Sequence, residues 1–209
     1  PSAEAEIWQA LVLGVRDYVR KNGFDRVALG LSGGIDSALV AVLALDALGA
    51  NQGDTLMMPS PYTADISWQD AHELAQRCGI QHAEVSIAPA FEALKTSLAP
   101  VFGPAPEDVT EENMQARIRG LMLMALSNKT GALILSCGNK SEYATGYCTL
   151  YGDMCGAFAP IKDVLKTQVF ALARWRNAHN PFNTADTPIP ERIITRPPSA
   201  ELRPGQVDQ

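Results

Sequence analysis

The chain is predicted to fold as an α/β domain, a doubly wound parallel β-sheet with helices on both faces. Three observations predict it. Short apolar, strand-like runs alternate along the chain with helix-like segments. Those runs are apolar throughout rather than alternately polar, as in a sheet covered on both faces. The 209 residues, 46% of them hydrophobic, are enough for one such core.

The elements follow in chain order. Ile7, Leu11, Val15 and the pair Tyr18-Val19 recur at helical spacing, so residues 3–20 form a helix, and Asn22-Gly23 ends it. Residues 26–31 are a first strand. Residues 37–48, SALVAVLALDAL, make a helix apolar enough to be buried, closed by Gly49. A second strand at 55–58 stops at Pro59-Ser60-Pro61, and a helix over 65–78 ends at Gly79. Residues 81–87 alternate like a strand, and 89–98 form a further helix. Pro100, Pro104 and Pro106 make 99–109 a connecting loop. Thr110 caps a long helix reaching about Ser127, and a strand follows at 132–136. The stretch 138–156 is polar and punctuated by glycine, which marks a functional segment with one short helix. Asp163 caps a last helix to about Ala178. Six prolines (Pro181, Pro188, Pro190, Pro197, Pro198 and Pro204) predict an irregular tail over 181–209. Residues 1–180 are thus the body of one domain, and 181–209 a tail of that domain that continues further.

Composition excludes several classes. A net charge of −6, from 17 basic and 23 acidic residues, argues against a nucleic-acid partner. No apolar run approaches the ~20 residues of a membrane helix, and no signal peptide opens the chain. Cys78, Cys137, Cys148 and Cys155 match no zinc spacing and no C-x-x-C pair, so they are expected as free thiols in a reducing cytoplasm. His72, His82 and His179 are scattered and are expected to be structural.

The segment Ser32-Gly33-Gly34-Ile35-Asp36-Ser37 joins the first strand to the buried helix. In parallel sheets ligands bind beyond the carboxyl ends of strands. A glycine-rich turn offers successive backbone N–H groups as an anion cradle, and a helix start adds its dipole. Ser32 and Ser37 can add hydroxyl donors. The lysine-bearing G-x-x-x-x-G-K-[ST] loop is absent. Two readings stand: a phosphate site, or a tight turn in which Asp36 is a helix cap. An acid beside phosphates makes sense when a divalent cation lies between, and Mg²⁺ takes carboxylate and phosphate oxygens together. Asp36 then needs a partner acid at another strand end. Glu142, after the strand at 132–136, is the best placed, although an acid in a first helical turn also has a purely structural use. On the long helix, Met114, Ile118, Leu121, Met122 and Ala125 form an apolar stripe. Asn113, Arg117 and Gly120 flank it on one side, Gln115 and Arg119 on the other. The arginines are either snorkelling solvent residues or contacts to two anionic ligands on two sides.

The loop 32–37 resembles the pyrophosphate loop of the N-type ATP pyrophosphatases, whose fold is Rossmann-like and adenine nucleotide alpha hydrolase-like. Later motifs narrow the resemblance: Met58-Pro59-Ser60, Gly138-Asn139-Lys140-Ser141-Glu142, Thr145-Gly146-Tyr147, Tyr151-Gly152-Asp153, Lys162-Asp163 and Lys166-Thr167. The tail adds Ile189-Pro190-Glu191-Arg192-Ile193 and Pro197-Pro198-Ser199-Ala200-Glu201-Leu202-Arg203-Pro204. Together they are similar to the NAD synthetase family along nearly the whole chain, in the style of its glutamine-dependent branch. A GMP synthetase domain would share the loop but lack the 146–147 and 151–153 cluster. A tRNA-thiolating enzyme would show a basic surface and paired cysteines. A non-catalytic nucleotide-binding domain has no use for both acids.

The resemblance implies roles. Gly30, Leu31, Ser32, Gly33, Gly34, Ile35, Asp36 and Ser37 hold ATP, with Arg119, Cys137 and Lys166. The family often has threonine where Cys137 stands. Asn113, Arg117, Glu142, Tyr147 and Asp153 bind deamido-NAD. Asp36 and Glu142 bind Mg²⁺, and Asp36 and Lys166 act electrostatically, with no general acid or base. The implied reaction is amidation of deamido-NAD through an acyl adenylate, with ATP as co-substrate and ammonia as nitrogen donor. A nitrilase-type glutaminase domain upstream would release that ammonia from glutamine. A homodimer with sites near its interface is also implied.

Overall fold

The computed structural model describes residues 1–203. Helix α1 (Ala3–Lys21) leads into strand β1 (Val27–Gly30), helix α2 (Ile35–Leu48) and strand β2 (Gly53–Met57). Helix α3 (Asp65–Cys78), strand β3 (Gln81–Glu84), helix α4 (Ala88–Phe102) and helix α5 (Val109–Thr130) follow. Strand β4 (Leu133–Ile134), short helix α6 (Lys140–Thr145), helix α7 (Lys166–Ala178) and helix α8 (Glu191–Thr195) complete the described chain. The four strands are parallel in the order β3-β2-β1-β4. The predicted α/β sheet is therefore present.

Alternate residues of β1, β2 and β4 enter two cores. Val27, Leu29, Met57 and Leu133 join a large core with Trp8, the apolar face of α2, Leu74 and Leu172. Ala28, Leu56 and Ile134 join a smaller one with Phe91, Met114 and Ile118. Helices α1, α2, α3 and α7 cover one face and α4 and α5 the other. Chain order runs outward from β1 through β2 to β3, then crosses to β4 on the other side of β1. The carboxyl ends of β1 and β4 thus border the crevice where α/β sheets bind ligands.

Several boundaries differ from expectation. The 99–109 loop is shorter, because α4 runs through Pro100 to Phe102 before Gly103 turns left-handed. Helix α5 starts one residue before Thr110, and its cap is Asp108, which accepts from Thr110 N while Glu111 closes a capping box. Asp163 is not the cap of α7: that helix begins at Lys166 behind Leu165. The tail is not wholly irregular, since α8 forms and buries Ile193 and Ile194 in the large core. Prolines punctuate the tail, but its isoleucines still find the core. Pro204 and the residues after it lie outside the described residues. The stripe on α5 is rotated from the predicted one: Leu121 is 71% exposed and Leu123 takes its place in the core.

Candidate active site

The loop after β1 is built from the inside. Ser37 donates from its hydroxyl to Gly34 O at 3.1 Å and accepts from Ser32 N at 3.2 Å. Gly34 N donates to Ser32 Oγ at 3.2 Å. Ser37 is buried, and its hydroxyl braces the turn. Gly33 has φ +80° and lies so close to the Ser67 carbonyl that a Cβ would collide with it; only glycine serves there. Gly34 is the cap of α2, and Asp36 sits in the first turn. Asp36 is therefore not the expected helix cap, because its carboxylate does not close its own helix. It reaches across the sheet instead, where Oδ1 accepts from Asn139 Nδ2 at 2.9 Å and Oδ2 is paired with Lys166 Nζ.

The second acid arrives on α6. Asn139 caps that helix: its Oδ1 accepts from Glu142 N at 3.1 Å, and its own N–H donates to Glu142 Oε2 at 3.0 Å. Wholly buried Asn139 therefore bridges the two acids. Burial first, and then the charge of Asp36, pushes Glu142 up to about 7. Two carboxylates against one ammonium leave excess negative charge in a half-dry cleft. Such an oxygen pair fits a Mg²⁺ site whose remaining ligands are water and phosphate; among the described residues no third His, Cys, Asp or Glu joins them.

One cavity of about 330 Å³ joins these groups. Residues 30–37 line it with Arg119, Cys137, Glu142, Tyr147, Asp153 and Lys166. The Cys137 thiol lies 3.9 Å from Gly30 O, and burial raises its pKa. Arg119 donates from Nε to Met58 O at 3.0 Å, and burial draws its guanidinium down to about 10. Asp153 faces the cavity and accepts from Thr149 N at 2.9 Å. Asn113 and Arg117 are not in this lining. Asn113 Oδ1 accepts from Thr149 Oγ1 at 2.8 Å, and Arg117 Nε donates to Leu150 O at 3.2 Å. The flanks of α5 do face two surroundings: Arg119 the cavity beside Met58, Asn113 and Arg117 the 149–152 turn. That turn sits tightly on the helix, since a Cβ on Gly120 would be 3.0 Å from both Tyr151 O and Gly152 O.

Sequence reasoning gave no individual role to Asn139, although Asn139-Lys140-Ser141-Glu142 has the capping-box spacing that betrays it. It placed Gln115 on a flank of α5 and Glu201 in the tail motif without giving either a role, and it passed over Ser67 and Arg196, for which no local pattern existed.

Comparison with known proteins places this geometry in a family. The NAD synthase family model matches residues 7–209. A glutamine-dependent NAD(+) synthetase of Acinetobacter baylyi is 58% identical over 98% of this chain, which covers 37% of that protein. One from Thermotoga maritima is 54% identical over the full chain, covering 36% of its own length. The chain thus spans little more than a third of these curated relatives. Among solved structures, the glutamine-dependent NAD+ synthetase of Acinetobacter baumannii in complex with adenosine diphosphate superimposes with a TM-score of 0.90. It is 51% identical, over 97% of this chain and 38% of that one. The NMN synthetase of Francisella tularensis gives 0.86 at 31% identity, over 100% of this chain and 80% of its own. Matched along almost its whole length by the family model and by relatives more than half identical, this chain belongs to the NAD synthase family.

Proposed function

We propose that this chain catalyses the ATP-dependent amidation of deamido-NAD to NAD+. The observation that carries the reading is the meeting, in one cavity, of the glycine loop, the acids Asp36 and Glu142, and Lys166. An oxygen of the nicotinate carboxylate attacks the α-phosphorus of ATP, and pyrophosphate leaves. Ammonia then attacks the acyl carbon of the adenylate, AMP leaves, and a proton is lost. The backbone N–H groups around Gly33 and Gly34, at the positive end of α2, receive the phosphates. Lys166 adds a cation where charge gathers on the leaving group. Mg²⁺ held by Asp36 and Glu142 would neutralise the phosphate oxygens. Arg119 lies on the ATP side, while Tyr147 and Asp153 line the part of the cavity assigned to deamido-NAD. Positioning and electrostatics supply the rate, and no side chain acts as a general base.

Asn113 and Arg117 contact deamido-NAD in this reading from beside the cavity, where a second copy of the chain adjoins it. Leu121, Leu150 and Tyr151 are 71%, 57% and 78% exposed around Arg117. Exposed apolar side chains of this kind suit a subunit interface, and the occupant in this reading is a homodimer partner. The ammonia comes from glutamine through a glutaminase domain in the intact protein. The setting is cytoplasmic, in keeping with four free cysteines. No helix of the described residues is long and apolar enough to cross a membrane.

The test is direct. Incubation with ATP, Mg²⁺, deamido-NAD and ammonium should yield NAD+ and AMP in equal amounts. Nicotinate mononucleotide in place of deamido-NAD should be the poorer substrate. No AMP with either acid refutes the reading.

A further inference from the structure

We propose that Glu201 is a positioning residue for ATP, fastening tail residues 196–202 across the mouth of the adenylation cavity. The inference deepens the reading above and rests on it for the identity of the nucleotide.

The tail segment lines the same cavity as the glycine loop, from Arg196 through Leu202. Two anchors hold it there. On one side, Glu201 Oε1 accepts from Ser67 Oγ at 2.6 Å and Oε2 accepts from Ala64 N at 3.0 Å. Both partners belong to the start of α3, and the Ser67 carbonyl is the group against which Gly33 packs. On the other side, Leu202 O accepts from Gln115 Nε2 at 2.8 Å. Gln115 is wholly buried on α5, one turn before Arg119. The segment therefore spans the two helices that flank the cavity.

The anchoring is specific. Arg196 Nη2 donates to the same Ser67 hydroxyl at 2.8 Å and stands 4.0 Å from Glu201 Oε1. Arg192 behind it clasps buried Asp70 of α3 at 2.6 Å. Charges thus alternate from Asp70 through Arg196 to Glu201. Glu201 itself has φ +51°, a backbone region that residues other than glycine enter rarely. Its conformation is imposed by these contacts rather than by its own preference. The charge of Glu201 also offsets part of the burial that draws the Arg119 guanidinium down to about 10.

This placement serves the cavity and not the fold. Among the described residues, Ile194 is the last of the tail in the hydrophobic core. Nothing from 197 to 202 belongs to either core cluster. The stretch 197–204 is the family-like signature that no role had absorbed.

The experiment compares wild type with Glu201→Gln and Glu201→Asp. It uses two assays, steady-state turnover and calorimetric titration with a non-hydrolysable ATP analogue. In Glu201→Gln the KM for ATP and the analogue Kd should rise about tenfold, the worth of a charge-assisted hydrogen bond. The KM for deamido-NAD should stay within about twofold and the melting midpoint within about 2 °C. Amide hydrogen exchange over 199–203 should quicken. Glu201→Asp, which keeps charge and acceptors, should recover part of the affinity. Unchanged analogue affinity overturns the proposal. So does equal weakening of both substrates with a lowered melting midpoint, which would make Glu201 a fold residue. A wild type that binds the analogue but forms no NAD+ refutes the reaction alone, and the calorimetry of the variants still decides the role of Glu201.

Discussion

Helix α2 carries an acid at each end, and the two are surrounded in opposite ways. Asp46, near the carboxyl end, has no exposed side-chain surface. Its Oδ2 accepts from Trp8 Nε1 at 2.9 Å and from Arg176 Nε at 2.7 Å, and its Oδ1 from Arg176 Nη2 at 3.0 Å. Thr184 Oγ1 donates to Oδ1 as well. One acid meets one guanidinium, whose Nη1 donates to His179 O and whose Nη2 also lies within hydrogen-bond distance of Asn180 Oδ1, Thr184 Oγ1 and Ala185 O. The charge is balanced and every lone pair is used. Asp36, at the amino end, shares one ammonium with Glu142, and its side chain is 17% exposed. Burial and the charge of Asp36 keep Glu142 at about 7. A saturated buried pair holds elements together, whereas an unbalanced cluster open to a cavity is ready for a ligand.

The contrast breaks first at Arg176. Arg176→Ala leaves Asp46 ionised in a dry core, which costs about 3–5 kcal/mol. Urea unfolding should show that loss, while turnover per folded molecule stays near wild type. A variant as stable as wild type would mean that α1, α2 and α7 do not depend on this pair. The next largest effect lies at the other end of the helix. Asp36→Asn should lower kcat/KM by about 10²–10³ and leave the unfolding free energy within about 1 kcal/mol, because it relieves the repulsion on Glu142. Turnover near wild type in Asp36→Asn removes the acid from the site.

The two ends were not equally legible in the sequence. The glycine loop, the strand and helix order and both site acids could be read, because turn chemistry and short apolar runs are local signals. The Asp46 network could not, since its partners Trp8, Arg176 and Thr184 lie far along the chain. A signal existed even so: one acid in the otherwise apolar run SALVAVLALDAL must find a buried partner. Leu121 was misplaced for another reason. Apolar residues surround α5, so spacing alone could not choose its buried face. The close approach of the 151–152 turn to Gly120 chooses it instead. The tail's prolines are a local signal of irregular chain, whereas the burial of Ile193 and Ile194 depends on partners distant in sequence.

Trp8→Phe sharpens the saturated side of the comparison. The substitution keeps a large apolar ring in the core but removes one donor from Asp46. Loss of a hydrogen bond to a buried charge should cost about 2 kcal/mol in urea unfolding. The tilted ring contact of Trp8 with Trp175, at 6.2 Å between centroids, is largely kept by the phenyl ring. A change below about 0.5 kcal/mol would show that Asp46 holds more donors than it needs.

The smallest effect tests the unbalanced side by pH. Glu142 has a folded pKa of about 7, above its ordinary 4.5. A carboxyl raised in this way favours the fold while protonated. That contribution is full below pH 4.5 and is lost as pH rises toward 7, because the unfolded chain gives up its proton first. Glu142→Gln cannot titrate. Subtracting its stability from that of wild type at each pH isolates Glu142 from every other group. The difference should fall by about 1 kcal/mol between pH 4.5 and 7, after allowance for solvent screening of a partly exposed group, and level off above. Urea midpoints at four pH values suffice. A difference that stays flat across this window means that Glu142 is solvated like a surface acid, and the excess charge that sets this end of α2 apart from Asp46 would not exist.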